Sequence, residues 1–200
     1  MSDPNPARRA TVVRETAETR IRLFLDLDGE GRAEVETGIG FLDHMLGALA
    51  KHARLDLELR CQGDLEVDDH HTAEDCALAL GTALDEALGE RRDFARFGSA
   101  YAPLDEALAR AVVDVSGRPF AKVSCGFRRE MLGRIATENL VHVLQSFATA
   151  ARITLHVDVL EGENDHHRAE AAFKATALAL RAALRRDSAA GVPSTKEVLA

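Results

Sequence analysis

The sequence is poor in aromatic residues and lacks any long hydrophobic run. Its 200 residues include no Trp and one Tyr, so the core must be built mainly from the aliphatic residues that bring the hydrophobic content to 46%. No apolar stretch approaches the ~20 residues that a transmembrane helix needs. The polar start of the chain also lacks the apolar segment of a signal peptide, and we therefore expect a cytoplasmic protein.

Cysteine and lysine are also scarce. The three cysteines have no C-x-x-C spacing and are interpreted as reduced core thiols. A net charge of −8 argues against nucleic acid or an anionic membrane as a partner. Only four of the 25 basic residues are lysines, so the position of each lysine is informative.

One short motif occurs twice. His70-His71-Thr72-Ala73-Glu74 returns 96 positions later as His166-His167-Arg168-Ala169-Glu170, and each copy follows an upstream histidine, His44 or His142. Such self-similarity indicates a duplicated chain. We expect a flexible N-terminus over residues 1–10, half-domains over 11–90 and 91–187, and a tail over 188–200 that has no counterpart in the first half.

The hydrophobic pattern has the same order in both halves. Alternating apolar residues predict strands at 20–27 and 107–115, which we expect to form hairpins with strands at 32–37 and 119–125. A helix, a third strand and a long helix from the histidine pair complete each half. The predicted class is α+β, with two duplicated half-domains, each a mainly antiparallel sheet with two helices on one face.

The spacing within each motif is typical of metal ligands. Residues i and i+4 share a helix face, so His70 can join Glu74, and His166 can join Glu170. The second histidine of each pair points about 100° away and cannot easily reach the same ion. We therefore expect two sites of three histidines and one carboxylate, each using one upstream histidine. Such sites suit Mn²⁺, Fe²⁺ or Zn²⁺.

Several basic and hydroxyl residues break the repeat. Lys174 stands where the first copy has Leu78, and the second half or the tail adds further candidates. Lys, Arg and Ser side chains near divalent metals suit a phosphate monoester. The candidate phosphate ligands are Arg96, Arg118, Lys174, Ser194 and Lys196.

With these residues assembled, the chain closely resembles the imidazoleglycerol-phosphate dehydratase family. The likeness covers almost the whole chain beyond the first ten residues. Its most specific segments are residues 37–46, 68–75, 116–119, 166–175 and 191–196. Ala48 and Glu197 depart from the family pattern, which commonly has glutamine and glycine there.

The resemblance implies both a fold and a reaction. The fold would be a fused pair of ribosomal protein S5 domain 2-like half-domains. The reaction would be dehydration of D-erythro-imidazoleglycerol phosphate to imidazole acetol phosphate in L-histidine biosynthesis. It implies two Mn²⁺ per active site, with other divalent ions as alternatives, and 24 identical subunits with active sites at their interfaces.

The resemblance also assigns roles to residues. It places His44, His71, His166 and Glu170 on one ion, and His70, Glu74, His142 and His167 on the other. It implies catalytic roles for Glu18, His71 and Glu170, with Glu18 as the acid/base group.

Two other functions remain open on the residues alone. A dinuclear hydrolase would hold its metals ~3.5–4 Å apart, usually with a bridging carboxylate. A metal-storage or metal-sensing shell would need no phosphate-binding residues.

Overall fold

The computed structural model describes residues 7–195 and residue 199. The first half contains β1 Arg9–Glu15, β2 Thr19–Asp26, β3 Ala33–Glu36, α1 Gly40–Ala53, β4 Asp56–Gly63 and α2 His70–Leu88. The second half contains β5 Phe97–Leu104, β6 Ala107–Asp114, β7 Phe120–Ser124, the short β8 Met131–Leu132 and β9 Ile135–Ala136, α3 Thr137–Ala150, β10 Thr154–Glu161 and α4 Asp165–Ala183. The N-terminal strand therefore takes up the last two residues of the segment expected to be flexible.

Each half forms a four-stranded sheet, with strand orders β1-β2-β4-β3 and β5-β6-β10-β7. Within each sheet two neighbouring pairs are antiparallel and one is parallel. The predicted class, α+β with two duplicated and mainly antiparallel half-domains, is confirmed.

The two predicted hairpins are wrong. Strand β3 pairs in parallel with β4 and not with β2, and β7 pairs in parallel with β10 and not with β6. Parallel neighbours need a crossover connection, and α1 supplies it between β3 and β4. The edge of β2 is filled by all eight residues of β4. The Asp56 carboxylate also accepts hydrogen bonds from the backbone N–H of Glu30, Gly31 and Arg32, which fastens the β2–β3 loop to the start of β4.

The four helices of the described residues lie between the two sheets. Helices α1 and α2 pack on the first sheet, α3 and α4 pack on the second, and the halves meet where α1 contacts α4 and α2 contacts α3. The core is accordingly aliphatic and rich in Ala and Leu, as the composition requires. None of these helices is long and apolar enough to cross a membrane.

Gly81 sets the distance between α2 and α3. A Cβ atom at this position would lie 2.5 Å from the Phe147 carbonyl oxygen and 2.7 Å from both the Ala150 Cβ and the Ala151 nitrogen. Only glycine allows the two helix backbones to approach this closely. The contact brings side chains of the two halves within reach of one another.

Candidate metal centre

Two clusters of metal-ligating side chains form where the helices of the two halves meet. Cluster I consists of His44 on α1 with His166 and Glu170 on α4, and cluster II consists of His70 and Glu74 on α2 with His142 on α3. Within each cluster, one ligand atom from each residue lies within 4.8 Å of the others. Each cluster therefore combines one half's repeated motif with the other half's upstream histidine.

Cluster I is arranged around the Glu170 carboxylate. Its Oε2 lies 3.2 Å from His44 Nε2 and 3.3 Å from His166 Nε2, while its Oε1 accepts a 2.6 Å ion pair from Lys174 Nζ. Burial opposes ionisation of Glu170, but hydrogen bonds from Lys174 and His44 outweigh it and lower the pKa to about 2. The carboxylate is therefore an anion at neutral pH, as a metal ligand must be.

Cluster II has the same set of two histidines and one glutamate, but different neighbouring side chains hold it in place. Glu74 Oε1 lies 3.1 Å from His142 Nε2, and Glu74 Oε2 lies 3.7 Å from His70 Nε2. The imidazoles of His70 and His142 stack with their centroids 4.9 Å apart. The buried Asn139 amide oxygen lies 3.0 Å from His70 Nδ1, and the Asp69 carboxylate accepts from the Asn139 amide nitrogen at 3.0 Å.

The second histidine of each pair belongs to neither cluster. His71 Nδ1 lies 2.9 Å from Asp64 Oδ2, and this hydrogen bond raises the pKa of His71. His167 Nδ1 lies 2.7 Å from Glu106 Oε2, which likewise raises its pKa. The structure therefore brings together three of the four residues predicted for each ion and directs the fourth elsewhere.

Two glutamates occupy equivalent turns of the duplicated fold. Glu18 directly precedes β2, and Glu106 directly precedes β6. Glu106 accepts hydrogen bonds from the backbone N–H of Asn164 and Glu163 and from His167; the Asn164 bond contributes most, and together they lower its pKa to about 2. The half-exposed Glu18 carboxylate lies 3.6 Å from His71 Nε2. Of the two, Glu18 lies beside the Nε2 atom of its histidine, whereas Glu106 contacts the Nδ1 atom.

The candidate phosphate ligands fall in two places. Arg96 pairs with Asp114 at 2.8 Å and donates to the Pro193 carbonyl at 2.6 Å, next to Ser194 in the tail, while Arg118 lies 3.8 Å from Asp114 and is 63% exposed. Lys174 stands instead at cluster I. Lys196, and Glu197 where the family commonly has glycine, lie outside the described residues.

The polar side chains behind the ligands were not predicted from the sequence. Asp64, Glu106 and Asn139 each contact the Nδ1 atom of a candidate ligand. Asp64 and Glu106 lie in a loop and a turn that the repeat does not align, and Asn139 lies three residues before His142. The last spacing was a usable signal, because residues i and i+3 share a helix face.

Fold and clusters together define a duplicated α+β protein with two candidate divalent-metal centres at its helix–helix contacts. The family model for imidazoleglycerol-phosphate dehydratase matches residues 37–180. The imidazoleglycerol-phosphate dehydratases of Phaffia rhodozyma and Salinibacter ruber are both 55% identical to the chain, with full coverage on both sides. The chain belongs to the imidazoleglycerol-phosphate dehydratase family, and it is an enzyme of the hydro-lyase class in histidine biosynthesis.

Further relatives agree with this assignment. The imidazoleglycerol-phosphate dehydratase of Phytophthora nicotianae is 60% identical over 96% of this chain, which spans 43% of that longer protein. The crystal structure of the enzyme from Staphylococcus aureus superposes with a TM-score of 0.81 at 35% identity, covering 89% of this chain and 99% of that one. The enzyme from Pyrococcus furiosus, in complex with (S)-C348, gives 0.81 at 38% identity, covering 94% and 100%. The family resemblance seen in the sequence is confirmed.

Proposed function

We propose that this chain dehydrates D-erythro-imidazoleglycerol phosphate to imidazole acetol phosphate, using two divalent metal ions, with Mn²⁺ as the expected ion. The observation that carries the proposal is the pair of two-histidine, one-glutamate clusters, each formed across the two halves. A hydrolase with a bridging carboxylate is disfavoured, because Glu74 and Glu170 belong to different clusters.

The donor set of each cluster fits a divalent ion of borderline softness. Imidazole nitrogens and a carboxylate suit Mn²⁺, Fe²⁺ and Zn²⁺, and three ligands leave positions open. His71 would complete the ligand set of cluster I, and His167 that of cluster II, from neighbouring copies of the chain. Metal bound there would supply Lewis acidity and a template for the substrate's imidazole ring.

Glu18 is proposed to move the proton. The reaction removes a hydrogen from carbon and returns a proton to the departing hydroxyl, so one carboxylate placed near the ring can serve both steps. Glu18 is half exposed and 3.6 Å from His71 Nε2, so it would face any substrate held at a site that His71 completes. The resulting enol tautomerises to the ketone.

Arg96, Arg118, Lys174, Ser194 and Lys196 are proposed to hold the phosphate. The structure supports part of this set, because Arg96 fastens the tail beside Ser194 and the guanidinium of Arg118 is largely free to reach an anion. Lys174 forms an ion pair with Glu170 of cluster I, so as a phosphate ligand it would hold the phosphate close to the metal at that cluster.

A homo-oligomer, proposed as 24 subunits in the cytoplasm, would place these parts together. The outer face of the second sheet exposes Phe97, Tyr101, Val112 and Phe120, which are 61%, 59%, 41% and 54% exposed. Apolar groups grouped on one face favour association with another protein surface. The half-domain limits proposed are 11–90 and 91–187, with the tail from 188 completing the phosphate site.

The test is turnover of imidazoleglycerol phosphate by metal-stripped protein, with and without added Mn²⁺. Dehydration that appears only with the metal supports the proposal. Protein that binds two Mn²⁺ per chain and still leaves the substrate unchanged would contradict it.

A further inference from the structure

The outward histidines need to be held in one orientation. A neutral imidazole can carry its proton on either nitrogen, and either nitrogen can bind a metal, so a histidine with no partner divides its population among several states. A hydrogen bond at Nδ1 selects one state, with Nε2 unprotonated and its direction fixed. His71 and His167 each have such a bond, and in each case the acceptor is a carboxylate.

Within the described part of the chain, His71 is the hydrogen-bond partner of the Asp64 side chain. Asp64 Oδ2 accepts from His71, whereas Oδ1 is buried and has no hydrogen-bond partner among the described residues. A buried carboxylate oxygen without a partner costs stability. The hydrogen bond to His71 is therefore the contact through which the Asp64 side chain acts among the described residues.

Glu106 makes the equivalent hydrogen bond to the Nδ1 atom of His167, but it lies in a different element. Six residues, 64–69, separate β4 from His70, whereas four residues, 162–165, separate β10 from His166. The shorter loop of the second half holds no counterpart of Asp64. The turn before β6 supplies Glu106 instead, held in place by the backbone N–H of Glu163 and Asn164. Two different elements thus place a carboxylate on the same nitrogen of equivalent histidines.

We infer that Asp64 and Glu106 are positioning residues, which hold His71 and His167 with Nδ1 protonated and Nε2 turned away from their own chain's clusters. Each chain then contributes these two nitrogens to metal sites of neighbouring copies. The contacts of the Nε2 atoms agree with this direction, since His71 Nε2 lies 3.6 Å from Glu18 Oε1 and His167 Nε2 lies 3.9 Å from Asp105 Oδ2, outside both clusters. This inference rests on the proposed metal-dependent function.

The first experiment measures Mn²⁺ affinity and stoichiometry for wild type, Asp64→Ala and Asp64→Asn by titration with electron paramagnetic resonance detection. Loss of an outer partner of a metal-bound histidine typically lowers affinity about 10- to 100-fold. We expect Asp64→Ala to weaken one of the two sites by about that factor and to leave the other tight. Asp64→Asn keeps an acceptor oxygen and should recover most of the affinity.

Matched controls separate positioning from folding. Glu66→Ala removes an exposed carboxylate from the same loop and should bind both ions normally. Thermal unfolding temperatures of the metal-free Asp64→Ala and wild-type proteins should lie within about 4 °C of each other, as expected for the loss of one partly exposed contact. Wild-type affinity in Asp64→Ala would overturn the inference, and so would equal weakening of both sites together with a lower unfolding temperature.

The second half offers a parallel test. Glu106→Gln retains an acceptor oxygen and should bind Mn²⁺ nearly normally, whereas Glu106→Ala should weaken the site that His167 completes. Glu163→Gln serves as the control, because within the described residues Glu163 contacts Glu106 through its backbone N–H and not through its side chain. Wild-type protein that binds two Mn²⁺ but does not turn over substrate would contradict the proposed function. The affinity measurements on the Asp64 and Glu106 variants would still test the positioning role. Wild-type protein that binds no Mn²⁺ would overturn both.

Discussion

At the scale of single residues, the two glutamates in equivalent turns make different contacts. Glu106 is saturated by three donors, two of them backbone N–H groups of the loop before α4. Asp64 holds His71 in the first half, so Glu18 is not needed for that contact. The side chain of Glu18 therefore remains available for the acid/base role proposed for it, whereas the Glu106 carboxylate is occupied by hydrogen bonds.

Replacing Glu18 by Gln tests this division. The amide keeps the size of the side chain but cannot exchange a proton with the substrate, so kcat should fall by about 10²- to 10⁴-fold. KM and Mn²⁺ content should stay near those of wild type. Glu15→Gln alters an exposed carboxylate of the neighbouring strand and should leave kcat unchanged. Steady-state kinetics and metal analysis measure both; a Glu18→Gln variant with normal kcat would exclude the role.

Among the described candidate phosphate ligands, Arg118 has the most solvent-exposed side chain. A hydrogen bond to a charged group contributes about 1.5–3 kcal/mol, so Arg118→Ala should raise KM by roughly 10- to 100-fold with a smaller effect on kcat. Arg110→Ala, which removes an ion pair with Asp158 on the outer face of the sheet, is the control. Equal kinetics in the two variants would remove Arg118 from the phosphate site.

Residue patterns predicted the ligands far better than their supports. A repeated motif with i, i+4 spacing identifies His70, Glu74, His166 and Glu170 before any fold is known. Asp64 and Glu106 carry no such pattern, because carboxylates are common and their contact with a histidine depends on how two unequal loops close. Both residues lie in segments that resemble the family, 63–65 and 105–107, but neither helical nor strand periodicity predicts their contacts with histidine.

At the scale of elements, long periodic segments were predictable and strand pairing was not. The long helix predicted to start at the first histidine pair begins at His70 in the structure. Strands β3 and β7 are short and carry few buried residues, so their own sequence favours no partner. Their neighbours are decided by the helical crossover and by side-chain contacts such as those of Asp56, which a local pattern does not contain.

The contact of α2 with α3 gives an element-scale prediction. Gly81→Ala forces a Cβ against the α3 backbone, and such overpacking typically costs about 1–3 kcal/mol of unfolding free energy. Separation of the helices should also weaken metal binding at cluster II. Gly47→Ala is the matched control, since a Cβ there meets nothing within 4 Å. It should stabilise the metal-free protein by about 0.5–1 kcal/mol through helix propensity.

Urea unfolding of the metal-free variants measures both effects. If Gly81→Ala were as stable as Gly47→Ala, the close approach of α2 and α3 would not be a constraint on the fold.

At the scale of the whole molecule, the halves are also joined through Asp28. This carboxylate, in the loop after β2, pairs with Arg8 at 2.5 Å and with Arg186 beyond α4 at 2.6 Å. Burial opposes ionisation, but hydrogen bonds from Arg8 and Arg186 outweigh it and lower the pKa of Asp28 from 3.8 to about 2. The ion pairs thus favour the folded state whenever Asp28 is charged.

The pH dependence follows from that direction. A carboxyl group with a depressed folded pKa stabilises the protein above its unfolded pKa, and the stabilisation is lost as the pH falls through the folded value. Asp28→Asn should therefore be less stable than wild type at pH 7, and the difference should narrow between pH 4 and pH 2. Urea unfolding at several pH values measures it. A difference that is unchanged at pH 2.5 would contradict the assigned cause.

Metal sites shared between copies of the chain are the central claim at this scale. The most direct measurement is a crystal structure of the Mn²⁺-loaded protein, with the metals located by anomalous scattering. We predict one peak at cluster I and one at cluster II, with His71 and His167 of neighbouring copies as the added ligands. Peaks coordinated by a single chain, or an absence of peaks at both clusters, would contradict the account.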